Sequence, residues 1–350
     1  MTAPSILLSG LVESLRYADF QLAPQRWQAC RGLGLGSSAL ETAGKYWTAM
    51  TPSSRKRRGI AKHSVLYKAE RDQLMLVRRI AAQRNAMSLL KTVDRGAVRV
   101  ITYANPPFGT MTASGSTEMF NAIVAAGEAQ SIRVVIITGG LPDIFIRHYD
   151  VGELSDAADA VQSGAPRPTS ASGPRPPGFH ALTDMIATVE KPVIAAINGL
   201  CMGGGFELSL ACDLRIVGKE VTAIGLPETR IGIFPGGGGT QRLPRVIGEA
   251  KALEMILRGL TVTGPRAHEM GIVHEVVADP LARALEIGAE LSGRGAEGLA
   301  FAKRLTRAAL DRPLTDGLAD ERKSFGAVMR TASAREALRA ARAPVEIQKV

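Results

Sequence analysis

Two acidic residues lie where an acid is out of place. Glu207 sits in "MGGGFELSLACD", directly after three glycines and inside an otherwise apolar run. Glu228 sits in "IGLPETRIGIFPGGGGTQRL", after a short apolar stretch and a proline, ahead of a second glycine cluster. Burying a carboxylate is costly unless something uses or compensates it, and glycine loses more chain entropy on folding than any other residue. Glycines at a helix start let a substrate oxygen approach the first backbone N–H groups, which lack intrahelical partners and carry partial positive charge. An oxyanion hole is built in this way. Taken alone, "MGGGFE" is equally a tight helix–strand junction with an acid favourably placed at a helix N-terminus. Two acids from separate elements, each flanked by glycine-rich backbone, point instead to a carboxylate pair facing one substrate atom, as general acid–base chemistry requires.

Other chemistries find less support. No Gly-Lys-Ser/Thr follows "GGGG", so that loop is not a phosphate cradle of the Walker type. "GLGLG" and "GGGGTQ" are lone glycine clusters without a nucleotide fingerprint. His63, His180, His268 and His274 form no metal-ligand constellation, and His148 reads as a packing or rim residue. The cysteines (Cys30, Cys201 and Cys212) are odd in number and lack metal-ligand spacing, which points to a reduced, cytoplasmic compartment, with Cys201 and Cys212 as core thiols. The expectation is an enzyme with no metal and no redox cofactor.

The elements that must hold the two acids can be read from the same sequence. "AVRVITYA" (97–104), "RVVIITGG" (133–140) and "KPVIAAING" (191–199) are apolar, β-branched runs ending in turn residues, the pattern of strands buried on both faces. "DLRIVG" and "TAIGLPE" add two short strands. Helical stretches such as "GSTEMFNAIVAAGEAQ" alternate with them, which predicts an α/β layered domain. After residue 245 the pattern is nearly all helical. The Pro, Gly, Ser and Ala content of 155–178 predicts a long mobile loop.

Residues 1–90 read as a mainly helical, basic N-terminal extension, with 14 Lys/Arg against 5 Asp/Glu, so this segment carries +9 of the chain's +10. Its cationic run, residues 51–62 with Arg55, Lys56, Arg57 and Arg58 at the centre, is either a solvated linker or a contact for a polyanion or another acidic partner. An aromatic content of 5% argues against a groove that stacks single-stranded nucleic acid. No apolar run reaches membrane-spanning length, and "SILLSGLV" is too short and lacks the basic flank of a secretory signal.

The blocks "KPVIAAINGLCMGGGFELSLACDLRI" and "LPETRIGIFPGGGGTQRLPRVIG", in this order and at this spacing, closely resemble the enoyl-CoA hydratase/isomerase (crotonase) superfamily. The resemblance spans about residues 90–345. It implies a crotonase-like spiral of ββα turns over 91–275, a C-terminal helical oligomerisation region over 276–350, and homo-oligomers that are trimers or dimers of trimers. It implies that Glu207 and Glu228 are the two catalytic glutamates, and that the Gly204 N–H is one oxyanion donor. "NPPFGTMT" (105–112) resembles the turn after the first core strand, and "GPRAHEMGIVHEVV" the segment leading into the C-terminal helices. For the second donor the family reads Phe-x-x-Gly-Ala-Asp, whereas this chain has "FIRHYD" (145–150). The register from Phe145 to Asp150 assigns that donor to the N–H of Tyr149, with Tyr and His where Ala and Gly are usual. The implied reaction is addition of water to a 2-enoyl-CoA, coenzyme A entering as part of the substrate. A double-bond isomerase would need Glu228 alone, and the presence of both acids favours hydration. A non-catalytic crotonase-fold binding protein tethered by its basic arm is the other alternative, against which the intact acids argue.

Overall fold

The computed structural model describes residues 88–164 and 177–341. The expectations for the basic extension and its 51–62 cluster lie outside the described residues. The polar strand β1 (Leu90–Arg95) pairs antiparallel with β2 (Val98–Tyr103). Helix α1 (Ala113–Glu128) follows, capped by Thr112, whose hydroxyl accepts from the Gly115 N–H at 3.1 Å. Then come β3 (Val134–Gly139), β4 (Ile144–Ile146), α2 (Val151–Gln162) and α3 (Phe179–Thr188). The chain continues through β5 (Val193–Ile197), β6 (Leu200–Met202), α4 (Gly204–Ala211), β7 (Leu214–Gly218) and β8 (Ile224–Gly225). A 3-10 turn, Glu228–Ile231, leads to α5 (Gly239–Ile247), α6 (Glu249–Leu257), β9 (Thr261–Val262), α7 (Gly264–Glu269) and β10 (Glu275–Val277). Four helices close the described chain: α8 (Pro280–Ser292), α9 (Ala296–Ala308), α10 (Leu314–Val328) and α11 (Ala332–Ala340).

The strands divide between two sheets. One has the order β1-β2-β3-β5-β7-β10, the other β4-β6-β8-β9. Neighbours β3, β5 and β7 are parallel, and so are neighbours β4, β6 and β8. After the β1–β2 hairpin and α1, the turns that begin with β3, β5 and β7 each give one strand to each sheet and then pass into helix, which is the expected spiral of ββα turns. Successive turns touch through main chain: a Cβ on Gly199 would overlap the Asp143 carbonyl group, and one on Gly205 the Ile146 carbonyl oxygen.

Burial follows from this stacking. β5 is buried at every residue and β3 at all but its last, as their unbroken apolar sequences require. All eight residues of α4 are buried, so this helix has no solvent face on which an acid could rest. The carbonyls at its C-terminal end are satisfied by the buried Arg215, which donates to the carbonyls of Ser209, Cys212 and Ile272. Helix α8 packs Ala284 and Ile287 against Val100, Ile136, Ile194 and Ile216 on the outer face of the larger sheet. The first helix beyond residue 276 therefore covers the spiral itself, and the separate helical region begins with α9. That region is tied back through Asp213, which takes Lys303 at 2.8 Å and Arg307 at 2.7 Å while accepting from the Val193 N–H.

The segment 155–178 is not loop throughout. Its composition hides the end of α2, which runs to Gln162 because Asp150 caps it and Glu153 sits favourably in its first turn. Residues 165–176 lie outside the described part.

Candidate active site

Because β4, β6 and β8 are adjacent and parallel, their C-terminal ends lie side by side. The chain leaves β4 through Arg147–Asp150, β6 through Gly203 into α4, and β8 through Pro227 into the turn that carries Glu228. All four expected site residues, Glu207, Glu228, Gly204 and Tyr149, are brought to this one edge. Gly203 makes the closest turn, with φ 50°, a region that side-chain-bearing residues rarely adopt. A Cβ there would lie 3.1 Å from Glu228 Oε1 and 3.4 Å from the His148 Cβ.

Glu207, 3% exposed, stands in the first turn of α4. Its Oε1 accepts from the N–H groups of Gly237 at 2.6 Å and Gly239 at 2.9 Å. The second glycine cluster is therefore a carboxylate cradle built of backbone amides. The cradle is itself clamped: Arg242 donates to the Gly237 carbonyl and to Asp184, and His180 Nε2–H donates to the Gly236 carbonyl at 2.8 Å. Oε2 takes no hydrogen bond among the described residues, and a Cβ on Gly237 would run into the Phe179 ring and into this oxygen, 2.6 Å away. Burial pushes the Glu207 carboxyl above its usual pKa, against the pull of the two amides.

Glu228 differs. It is half-buried, and its buried Oε2 has no hydrogen-bond partner among the described residues. Burial pushes its pKa up to about 7, and the charge of Glu207 adds to the rise. The site thus holds one carboxylate locked by two amides and a second poised to carry a proton near neutral pH.

Gly204 and Tyr149 face each other. A Cβ on Gly204 would lie 3.2 Å from the Tyr149 nitrogen, 3.1 Å from its Cβ and 3.4 Å from Phe179 Cζ. The His148 carbonyl accepts from the Met111 N–H, and the Asp150 N–H donates to the Met111 carbonyl, both at 2.8 Å. In a trans peptide the C=O and N–H point in opposite directions, so the Tyr149 N–H is directed away from Met111, toward Gly204. Neither the Gly204 nor the Tyr149 N–H has an acceptor among the described residues. Met111 belongs to the turn "NPPFGTMT", which thereby braces the loop Arg147–Asp150 from behind. His148 turns its Nδ1 to the Tyr149 carbonyl, 2.7 Å away, as a rim residue would.

The enoyl-CoA hydratase/isomerase family model matches residues 94–344. The chain belongs to the enoyl-CoA hydratase/isomerase family. A putative enoyl-CoA hydratase/isomerase of Bacillus subtilis (strain 168) is 37% identical over 257 residues, covering 72% of this chain and 94% of that relative. The fatty acid oxidation complex subunit alpha of Shewanella loihica is 35% identical over 206 residues, 58% of this chain and only 28% of that longer protein. Among solved structures, the enoyl-CoA hydratase of Bacillus anthracis superposes with a TM-score of 0.65 at 30% identity, covering 73% of this chain and 96% of its own.

Within this family frame, some residues around the acids were not legible in advance. The amides of Gly237 and Gly239 were visible only as a glycine-rich loop, since residue type does not say where an N–H points. Phe179, whose ring meets Tyr149 edge-on at 5.6 Å and 70°, follows a Pro-rich stretch that gives no sign of it. Arg242, in "GGGGTQR", and His180 carried no signal beyond their own charge.

Proposed function

We propose that this chain is an enoyl-CoA hydratase, adding water across the double bond of a 2-enoyl-CoA thioester. The observation that carries the reading is the unequal pair of acids at one opening, Glu207 held by two amides and Glu228 lifted to about 7. The thioester oxygen binds between the N–H groups of Gly204 and Tyr149, which stabilise the enolate. One such donor is worth about 10²–10³ in rate. Glu207, through its free Oε2, and Glu228 grip a water between them. Glu207 accepts a proton from the water as its oxygen bonds to Cβ and the π electrons move toward the thioester. Glu228 delivers its proton to Cα as the enolate collapses, and exchange through solvent then returns the proton from Glu207 to Glu228 to restore both acids. Coenzyme A enters as part of the substrate, and the cycle uses no further cofactor. The assembly is a trimer or dimer of trimers working in the cytoplasm. The basic run 51–62 is an attachment for a polyanion or acidic partner.

The test is to supply short, medium and aromatic 2-enoyl-CoAs and follow loss of the conjugated thioester absorbance. Glu207→Gln must cut hydration severely while leaving acyl-CoA binding within a few-fold. Near-full turnover in that variant would mean that one carboxylate suffices, which is the isomerase reading.

A further inference from the structure

We infer that Glu153 is a positioning residue for the oxyanion hole, acting through the hydroxyl of Tyr149; the inference rests on the reading of the Tyr149 N–H as an oxyanion donor. The Tyr149 hydroxyl donates to Glu153 Oε2 at 2.9 Å. The same oxygen accepts from the N–H of Ala113, the first residue of α1, at 2.8 Å. The phenol is therefore strapped to the N-terminus of a helix, where an anionic acceptor is favoured.

The strap complements the backbone bonds. The His148 carbonyl and the Asp150 N–H hold the main chain to Met111 on one side only. These two bonds leave the Tyr149 Cα free to tilt about the line joining them, and the N–H tilts with it. The side chain closes that freedom from the other side, its ring seated on Phe179 and its hydroxyl on Glu153. Glu153 is fixed in turn: its N–H donates to Asp150 Oδ1 at 3.1 Å, and Asp150 Oδ2 accepts from the Thr110 hydroxyl at 3.0 Å. A residue bulkier than the alanine expected at 149 thus becomes a handle by which α1 and α2 aim the amide.

A donor misplaced by a fraction of an ångström loses transition-state stabilisation more than substrate affinity. Tyr149→Phe keeps the amide and the ring packing and removes only the hydroxyl. Glu153→Leu removes the acceptor, and Glu153→Gln retains an amide oxygen that can accept both bonds. Kinetics with a short 2-enoyl-CoA should show kcat lowered about tenfold in Tyr149→Phe and in Glu153→Leu, with KM within about twofold. The double variant should be no slower than either single one, because both remove one strap, and Glu153→Gln should recover most of the rate. The infrared stretch of the bound thioester carbonyl should move back toward its free frequency in Tyr149→Phe, a change that lowered fold stability alone does not produce. Tyr149→Phe with wild-type kcat, losses that multiply in the double variant, or a raised KM at unchanged kcat would each overturn the inference. If the wild type hydrates no 2-enoyl-CoA, the hydratase reading fails separately. The carbonyl frequency then decides: a strap-dependent shift upholds the positioning role, and an unchanged one removes it.

Discussion

Replacing Glu228 by Gln should harm activity at every pH, while its effect on stability relative to wild type should become more favourable as pH rises. A carboxyl with a pKa of about 7 in the folded chain and 4.5 when free is disfavoured as an anion by the fold. Between those two values the folded state holds more protons than the unfolded one, so stability falls as pH rises through this window and then levels off. Each pH unit is about 1.4 kcal/mol. From pH 5 to pH 8 the fully buried limit is near 2.5 kcal/mol, and discounting for the exposed part of this half-buried group leaves roughly 1–2 kcal/mol. The glutamine amide has its own burial cost, but that cost does not change with pH and cancels when the variant is compared with wild type at both pH values. Thermal unfolding should therefore show the midpoint of Glu228→Gln, relative to wild type, rising by about 2–4 °C between pH 5 and pH 8. Hydration by the same variant should be lost at every pH. Because the two acids are coupled, the wild-type rate should fall as pH rises past about 7 with an apparent value belonging to the pair. A relative midpoint that is the same at both pH values would refute the assignment of Glu228 as the strained proton carrier.

Three other outcomes follow from separate parts of the molecule. Gly204→Val places carbon against the Tyr149 nitrogen and Cβ, and hydration should drop at least 10²-fold; a folded variant with normal turnover would refute the proposal that the Gly204 N–H is an oxyanion donor. Asp213→Ala strands the buried Lys303 and frees Arg307, so urea unfolding should show a loss of about 3 kcal/mol or more, and a loss below about 1 kcal/mol would show that the network is not stabilising. Deleting residues 1–85 should leave turnover near the full-length value while abolishing salt-sensitive retention on RNA or anionic vesicles, and equal retention of both forms would dismiss the tether.

What was legible in the sequence depended on element length and on whether chemistry was carried by residue type or by backbone direction. β2, β3, β5 and β7 were plain because each is a run of β-branched residues long enough to show a pattern. β4, β6 and β9 escaped because two or three residues have no periodicity, and β8, equally short, was marked only by the turn residues that close "TAIGLPE". β1 escaped because "LKTVDR" is a largely exposed edge strand. The end of α2 was masked by the Ser, Ala and Gly of its own last turns and of the segment beyond. The acids stood out because Glu207 interrupts an apolar run and both sit beside glycines. Glu153 did not, since an acid in a helix's first turn is commonplace and only the phenol of Tyr149 gives it another use.

The contact of Gly199 with the Asp143 carbonyl and of Gly205 with the Ile146 carbonyl has a consequence for how this site can change over time. At both ends of β4 the spacing to the next turn, at Gly199 and at the start of α4, is a main-chain thickness, set where no side chain intervenes. Side chains around the opening can therefore be exchanged without altering the distance between the two chain segments, while the tilt of the Tyr149 amide stays under the control of its own side chain. Tyrosine and histidine at 149 and 148, where alanine and glycine are expected, are such an exchange. The fold behaves as a vice whose jaws are machined in backbone, so that their separation is fixed by main chain and only the aim of the amide is left to the side chain at 149.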